Sequence, residues 1–219
     1  MKTLKEALME RHSVRQYQDK KIESEKCELL RQKVEELNKE GNLHLQFAED
    51  AGNTFNRLLN KFMGLGSASG VIACIGEESD DLDERVGYYG QKLVLYAQQL
   101  GLNTCWAGTY QPKNVPAEIG KGEKLVLVIA IGYGETQGHE RKSKTFEDVV
   151  VSKRTDYPEW FKEGVKCALL APTAINQQKF KITLHDDDSV EFENLGGIHS
   201  LVDLGIVKCN FEIGAERNI

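Results

Sequence analysis

The stretch EKLVLVIAIGYG, residues 123–134, constrains the fold more than any other part of the chain. It is a run of apolar residues bounded by charge on one side and glycine on the other, and it is the clearest strand. SGVIACIG (69–76) is a second, shorter apolar run of the kind that fills a buried strand. Strands of this type need further layers packed on them, and the neighbouring segments supply helices. KIESEKCELLRQKVEELNKEG (21–41) places Cys27, Leu29, Leu30, Val34 and Leu37 on one helical face, with Ser24 as N-cap and Gly41 as stop. DLDERVGYYGQKLVLYAQQLGLN (81–103) repeats the pattern through Val86, Tyr89, Leu93, Val94, Leu95, Ala97 and Leu100, and Gly101 closes it.

The remaining elements are shorter. Leu4, Ala7 and Leu8 mark a first helical turn, NLHLQFAED (42–50) alternates as a strand, and a polar stretch follows it. TCWAGTY (104–110) is strand-like, and residues 134–145 read as a surface loop. PEWFKEGVKCALLAPT (158–173) is a helix with Pro158 in its first turn and a stop at Pro172. KFKITLHDDDSVEFENL (179–195) forms a hairpin turning at the acidic triplet, and HSLVDLGIVKCNFEIGAE (199–216) is a final amphipathic helix. Strands and helices do not alternate strictly, so the class is α+β. GYYGQKLVLYA (87–97) aligns without gaps to GIVKCNFEIGA (205–215), but only the first and last residues are identical.

Composition narrows the function. The 219 residues are 40% hydrophobic and 28% charged, with a net charge of -6, which disfavours bulk attraction to nucleic acid or anionic membrane. Five cysteines without a CxxC pair suit buried free thiols in a reducing cytoplasm. MKTLKEALMERH carries scattered charges and no apolar signal core, and no run approaches membrane-spanning length. The five histidines have no metal-ligand spacing, and HExxH, GxSxG and Walker A patterns are absent. GLGSASG precedes its strand and GYGETQG is followed by no apolar helix, so neither fits a dinucleotide turn.

Within an acidic chain, RHSVRQY (11–17) stands out. If extended, it aims Arg11, Ser13 and Arg15 one way, a donor set that suits phosphate. Solvated arginines at a helix end are the equally weighted alternative. RKSK (141–144) is a second basic cluster, by itself more in keeping with a solvated loop. Trp106 and Cys105 read first as core, although Gly108 permits close backbone approach to a ligand. Thr173, Asn176, Gln177 and Gln178 gather neutral donors and acceptors after Pro172, more than a plain turn needs.

RHSVRQY, GYYGQKLVLYAQQLGLNTCWAG, LVLVIAIGYG and RKSK, in this order, resemble the FMN-dependent nitroreductase family. APTAINQQKF (171–180) is similar to its APSxxNxQPW motif, although Lys179-Phe180 replaces Pro-Trp and the motif lies far later in the chain. The resemblance is to a subgroup in which a partial duplication is fused into one polypeptide. It implies a three-layer α/β/α fold with a mostly antiparallel central sheet. Residues 1–150 would form a first half, and residues 151–219 a partial repeat with a pseudo-symmetric helix. It also implies an FMN site held by Arg11, His12, Ser13, Arg15, Trp106, Ala107, Gly108, Lys142, Lys144, Pro172, Thr173, Ala174 and Asn176, with no side-chain catalyst or metal.

The implied activity is ping-pong transfer from NADH or NADPH through FMN to a quinone, nitroaromatic or similar acceptor, in a cytoplasmic monomer with a pseudo-dimeric core or in a homodimer. The alternatives are a flavin storage or sensing protein with little turnover, a specialised flavin chemistry such as reductive dehalogenation or flavin fragmentation, and a structural domain with a chance basic cluster.

Overall fold

The structure is a computed structural model that describes residues 2–55, 65–152, 154 and 156–219. Half of the polar stretch before SGVIACIG, residues 56–64 with the first glycine of GLGSASG, lies outside the described residues.

The chain opens with α1 (Leu4–Glu10), capped by Thr3 and Glu6 in a reciprocal capping box. α2 (Ser24–Gly41) buries Cys27, Leu30, Val34 and Leu37, and Leu29 is half-exposed. Its ends differ from expectation. Glu23 is the N-cap and makes no side-chain cap bond. The helix stops at Asn42, which adopts a left-handed conformation at φ 46°. Gly41 is instead a packing residue, because a Cβ there would press into the Tyr89 ring at 2.5 Å.

β1 (Gln46–Ala48), β2 (Gly70–Glu77), β3 (Asn103–Ala107) and β4 (Glu123–Gly132) form an antiparallel sheet in the order β1-β2-β4-β3. Strand alternation splits β4 between two cores. Leu127, Ile129 and Ile131 join the core beneath α2 and α3 (Leu82–Gln99). Val128 and Ala130 meet Val14, Tyr17, Phe55 and Leu65 on the opposite face.

A short α4 (Phe146–Val149) and β5 (Val150–Val151) follow, then α5 (Glu159–Ala168), β6 (Phe180–Leu184), β7 (Val190–Asn194) and α6 (Ser200–Ala215). β5-β6-β7 is a separate three-stranded sheet, so the described strands form two sheets where one central sheet is expected. β6 and β7 pair antiparallel, while β5 runs parallel to β6 and ties the end of residues 1–150 to the second sheet. α5 ends at Ala168, earlier than Pro172 alone requires. α6 is not amphipathic: Val202, Leu204, Ile206, Val207, Cys209 and Phe211 are all buried, because α3 and α5 pack against it.

α3 and α6 approach closely enough that side chains are excluded reciprocally. A Cβ on Gly87 would clash with the Val202 carbonyl oxygen, and one on Gly205 would clash with the Glu84 carbonyl oxygen. Each glycine lies three residues after the carbonyl its partner meets. All five cysteines are free and buried. Among the described residues, no helix is long and apolar enough to cross a membrane.

Candidate functional site

Residues 11–17 run extended across the end of the antiparallel sheet. Ser13 bridges Thr104 in parallel, Val14 N–H donates to the Thr104 carbonyl (3.1 Å), and Tyr17 bridges Gly134. The tether fixes the alternation. Val14 points into the core, while Arg11, Ser13 and Arg15 line a cavity on the other side; Tyr17 is also buried and departs from that alternation.

The facing wall is the turn after α5. Ile175, Asn176 and Gln178 hold φ values of 47°, 57° and 46°. A β-branched residue in that region is strained, so other contacts must hold the turn in place. Asp203 of α6 accepts from the Ala174 N–H (2.9 Å) and the Gln177 side-chain amide (2.7 Å). Thr173 Oγ1 accepts from the Gln178 N–H (3.1 Å). Asn176 Nδ2 and Gln178 Nε2 donate to the Lys142 carbonyl at 2.9 and 3.1 Å.

Two chambers meet between these walls. The first, about 660 Å³, is lined by Arg11, His12, His139, Arg141 and Asn176, among others. The second, about 320 Å³, is lined by Ala107, Gly108, Leu127, Val202 and Ile206 on its apolar side. Ser13, Arg15, Pro172, Thr173 and Ile175 line both. Each volume falls in the range of roughly 300–1,000 Å³ typical of small-molecule sites.

Three arginines, Arg11, Arg15 and Arg141, line the first chamber against one carboxylate, Glu140. Arg11 is only 7% exposed. Burial, and then the like charge of Arg141, pull it down from its ordinary value to about 10, so it remains charged at neutral pH. Only the Cys105 thiol opposes these effects; among the described residues no carboxylate acts on Arg11, although Glu140 lines the same chamber. Burial, then Arg11, lower His12. Burial also lowers Arg141, opposed by Asp203, and its Nη2 donates to the Leu169 carbonyl (2.8 Å). A buried guanidinium without a counter-charge is costly unless an anion completes the site. Phosphate matches the planar donor fork.

Of the residues singled out from sequence, Arg11, His12, Ser13, Arg15, Pro172, Thr173 and Asn176 line the first chamber, and Trp106, Ala107, Gly108 and Ala174 line the second. The Trp106 indole itself reaches under Gly90 of α3 and donates to Gln91 (3.4 Å). Lys142 and Lys144 are not among the lining residues. Lys144 Nζ donates to the Gln178 carbonyl (2.6 Å), and the Lys142 carbonyl receives the turn's two amides. Arg141 and Ser143 of the same cluster line the chamber instead. Sequence reasoning also missed Asp203, whose signal was a carboxylate on an otherwise apolar helix face, and His199, which carried none. Among the described residues, no group of three or more His, Cys, Asp or Glu side chains is placed to hold a metal.

Comparison with curated proteins finds no significant sequence match. Among solved structures, a "putative nitroreductase" from Thermotoga maritima shares 22% identity at a TM-score of 0.68, over 99% of this chain and 87% of that one. A nitroreductase family protein from Streptococcus pneumoniae matches at 14% identity and a TM-score of 0.55, over 69% of this chain and 100% of that one. Both likenesses concern the fold. The profile of the family described as "Putative TM nitroreductase" matches residues 3–215, and the chain therefore belongs to that nitroreductase-like family.

Proposed function

We propose that the chain is an FMN-dependent oxidoreductase, passing hydride from NADH or NADPH to a quinone, nitroaromatic or similar acceptor. The observation that carries this reading is Arg11, a buried guanidinium on which no described carboxylate acts, at one end of a cleft whose other end is largely apolar. That polarity suits a ligand with a phosphate at one end and a flat ring system at the other.

Arg11, with Arg141 opposite, would take the phosphate, and Ser13 would add a hydroxyl donor. Arg15, which lines both chambers, would place a positive charge where the ring's pyrimidine end lies. Pro172, Thr173 and Ala174 would cover the ring, and Gly108 would allow close backbone approach. The flavin supplies the hydride chemistry when bound. The chain's part is to bind, orient and partly exclude water.

The fused-duplication reading has its own support. α2–β1–β2–α3 and α5–β6–β7–α6 share the order helix, strand, strand, helix, and each strand pair is antiparallel. The reciprocal contacts of Gly87 and Gly205 are those of a pseudo-two-fold axis. Applied to Asp203, the same register gives Arg85, which donates to the carbonyls of Gly41 (2.8 Å) and Asn42 (2.9 Å) after the first unit's helix. Both side chains pin a turn to the following helix. The cavity beside Arg85 is lined by Glu40, Glu77, Glu78 and Asp81, a poor seat for phosphate. We therefore infer one flavin per chain.

The deciding experiment is a visible spectrum of the purified protein, with the released chromophore identified by chromatography, followed by bleaching with NADH and NADPH. Yellow protein carrying FMN and bleached by a nicotinamide is the expected result. A colourless protein that cannot be reconstituted with FMN would overturn the reading. FMN protein that ignores both nicotinamides would favour storage or sensing.

A further inference from the structure

His199 belongs to neither the phosphate end nor the resembling motifs, yet it faces the apolar chamber. It follows Gly196 (φ 75°), Gly197 (φ 124°) and Ile198, and itself adopts a left-handed conformation at φ 50°, immediately before α6. Its carbonyl accepts from the Asp203 N–H (3.0 Å), which fixes the backbone. A Cβ placed on Gly108 would lie 2.9 Å from His199 Nε2, so the ring packs against the backbone that ends β3.

Four titratable side chains line this chamber: Arg15 from the extended segment, Cys105 from β3, and His199 and Asp203 at the start of α6. Arg15 offers donors and no acceptor. Burial pushes the Cys105 thiol up. The Asp203 carboxylate is engaged by Ala174 and Gln177. Imidazole is the group in this set whose ring nitrogens can serve both as hydrogen-bond donor and as acceptor. Ile175 and Ile198, 83% and 58% exposed, line the same chamber and give an entering acceptor an apolar rim.

We propose that His199 is the catalytic proton donor to the acceptor, a role that rests on the flavin reading above. For a quinone, reduced FMN supplies the hydride, that is, both electrons and one hydrogen. The imidazolium Nε2–H bond breaks as a new O–H bond forms on the acceptor's carbonyl oxygen. The quinone becomes a hydroquinone, the flavin is oxidised, and neutral His199 regains its proton from solvent.

The test uses full-length protein reconstituted with FMN, beside His199→Asn, which tolerates positive φ, and His199→Gln as a second variant. FMN affinity is measured first by fluorescence titration at pH 5.5, 7 and 8. Binding of 1,4-naphthoquinone to the oxidised protein, without nicotinamide, is then followed over the same range. The expected result is equal FMN affinity in all three proteins. Quinone affinity should tighten about fivefold toward low pH in the parent alone, because an imidazolium is a stronger donor than an amide or neutral ring. Stopped-flow should show unchanged flavin reduction but roughly hundredfold slower quinone reduction in both variants.

Quinone affinity and reoxidation rates that match the parent's at every pH would overturn the role of His199 and leave the flavin reading intact. A pH-dependent affinity for FMN itself, abolished by both substitutions, would place the imidazole on the flavin and equally overturn it. Failure of the parent to bind FMN would remove the reading beneath it.

Discussion

At the scale of single residues, the cleft holds charge that the ligand-free protein does not need. Arg11 is buried near Arg141 and no described carboxylate acts on it, so replacing it with an apolar residue relieves a desolvation cost. Arg11→Met should raise the stability of FMN-free protein by about 1 kcal/mol or more while weakening FMN binding about a hundredfold, roughly 2.7 kcal/mol. Thermal melts and flavin titration measure the two effects, and a destabilised variant with normal affinity would contradict the assignment. His12 tests the same field through pH. Its folded-state value lies below the ordinary histidine range, chiefly through burial and then Arg11. Stability is therefore full above an unfolded value of about 6.5 and lost as pH falls from there through the lower folded value. FMN-free protein should melt lower at pH 5.5 than at pH 7.5, and His12→Asn should flatten that slope.

At the scale of elements, helix contact and turn restraint decide the geometry. Gly87 and Gly205 meet backbone carbonyls, which cannot swing aside as side chains can. Gly87→Ala and Gly205→Ala should each cost about 3 kcal/mol or more in urea unfolding. Neutral substitutions at both positions would mean that the helices lie further apart. Asp203 acts on the strained 172–178 turn. Asp203→Ala strands the Ala174 N–H and leaves the Gln177 amide only its bond to the Ile198 carbonyl, so that turn should exchange amide hydrogen faster and FMN affinity should fall about tenfold. Exchange unchanged at Ala174 would show that other bonds suffice. The turn's polar residues were legible because several donors in a row after Pro172 exceed what a plain turn uses. Its restraint by a carboxylate some 30 positions later was not legible, since no local pattern encodes a partner on another helix.

For the whole molecule, the two chambers require contributions from residues 11–15, 105–109 and 139–143 and from the second unit at 172–176 and 198–206. If one chain completes the cleft, each 24.6 kDa chain should bind one FMN, with saturation at a ratio near one. Equilibrium titration with absolute protein concentration, alongside mass measurement in solution, tests this. Two chains per flavin would show that the second unit of one chain completes the cleft of another. Lys142 and Lys144 show why composition misleads at this scale. RKSK marked a basic loop, but which of its side chains faces the cavity depends on how the loop is tied to Gln178 and Asn176.

The sequence by itself determined the elements with strong local signals: the apolar strands, the helices at 24–41 and 82–99, the final hairpin, and an extended RHSVR with Arg11, Ser13 and Arg15 on one side. These follow from periodicities of two and 3.6 residues and from the donor chemistry of arginine, all contained within short windows. Only the tertiary structure decided that the described strands divide into two sheets, that α6 is buried on nearly every side, and that Arg141 rather than its lysine neighbours lines the chamber with Arg11. It also decided that His199 sits against Gly108. Each of these depends on contacts between residues far apart in the chain, whose burial and electrostatics are set by packing and have no local signature.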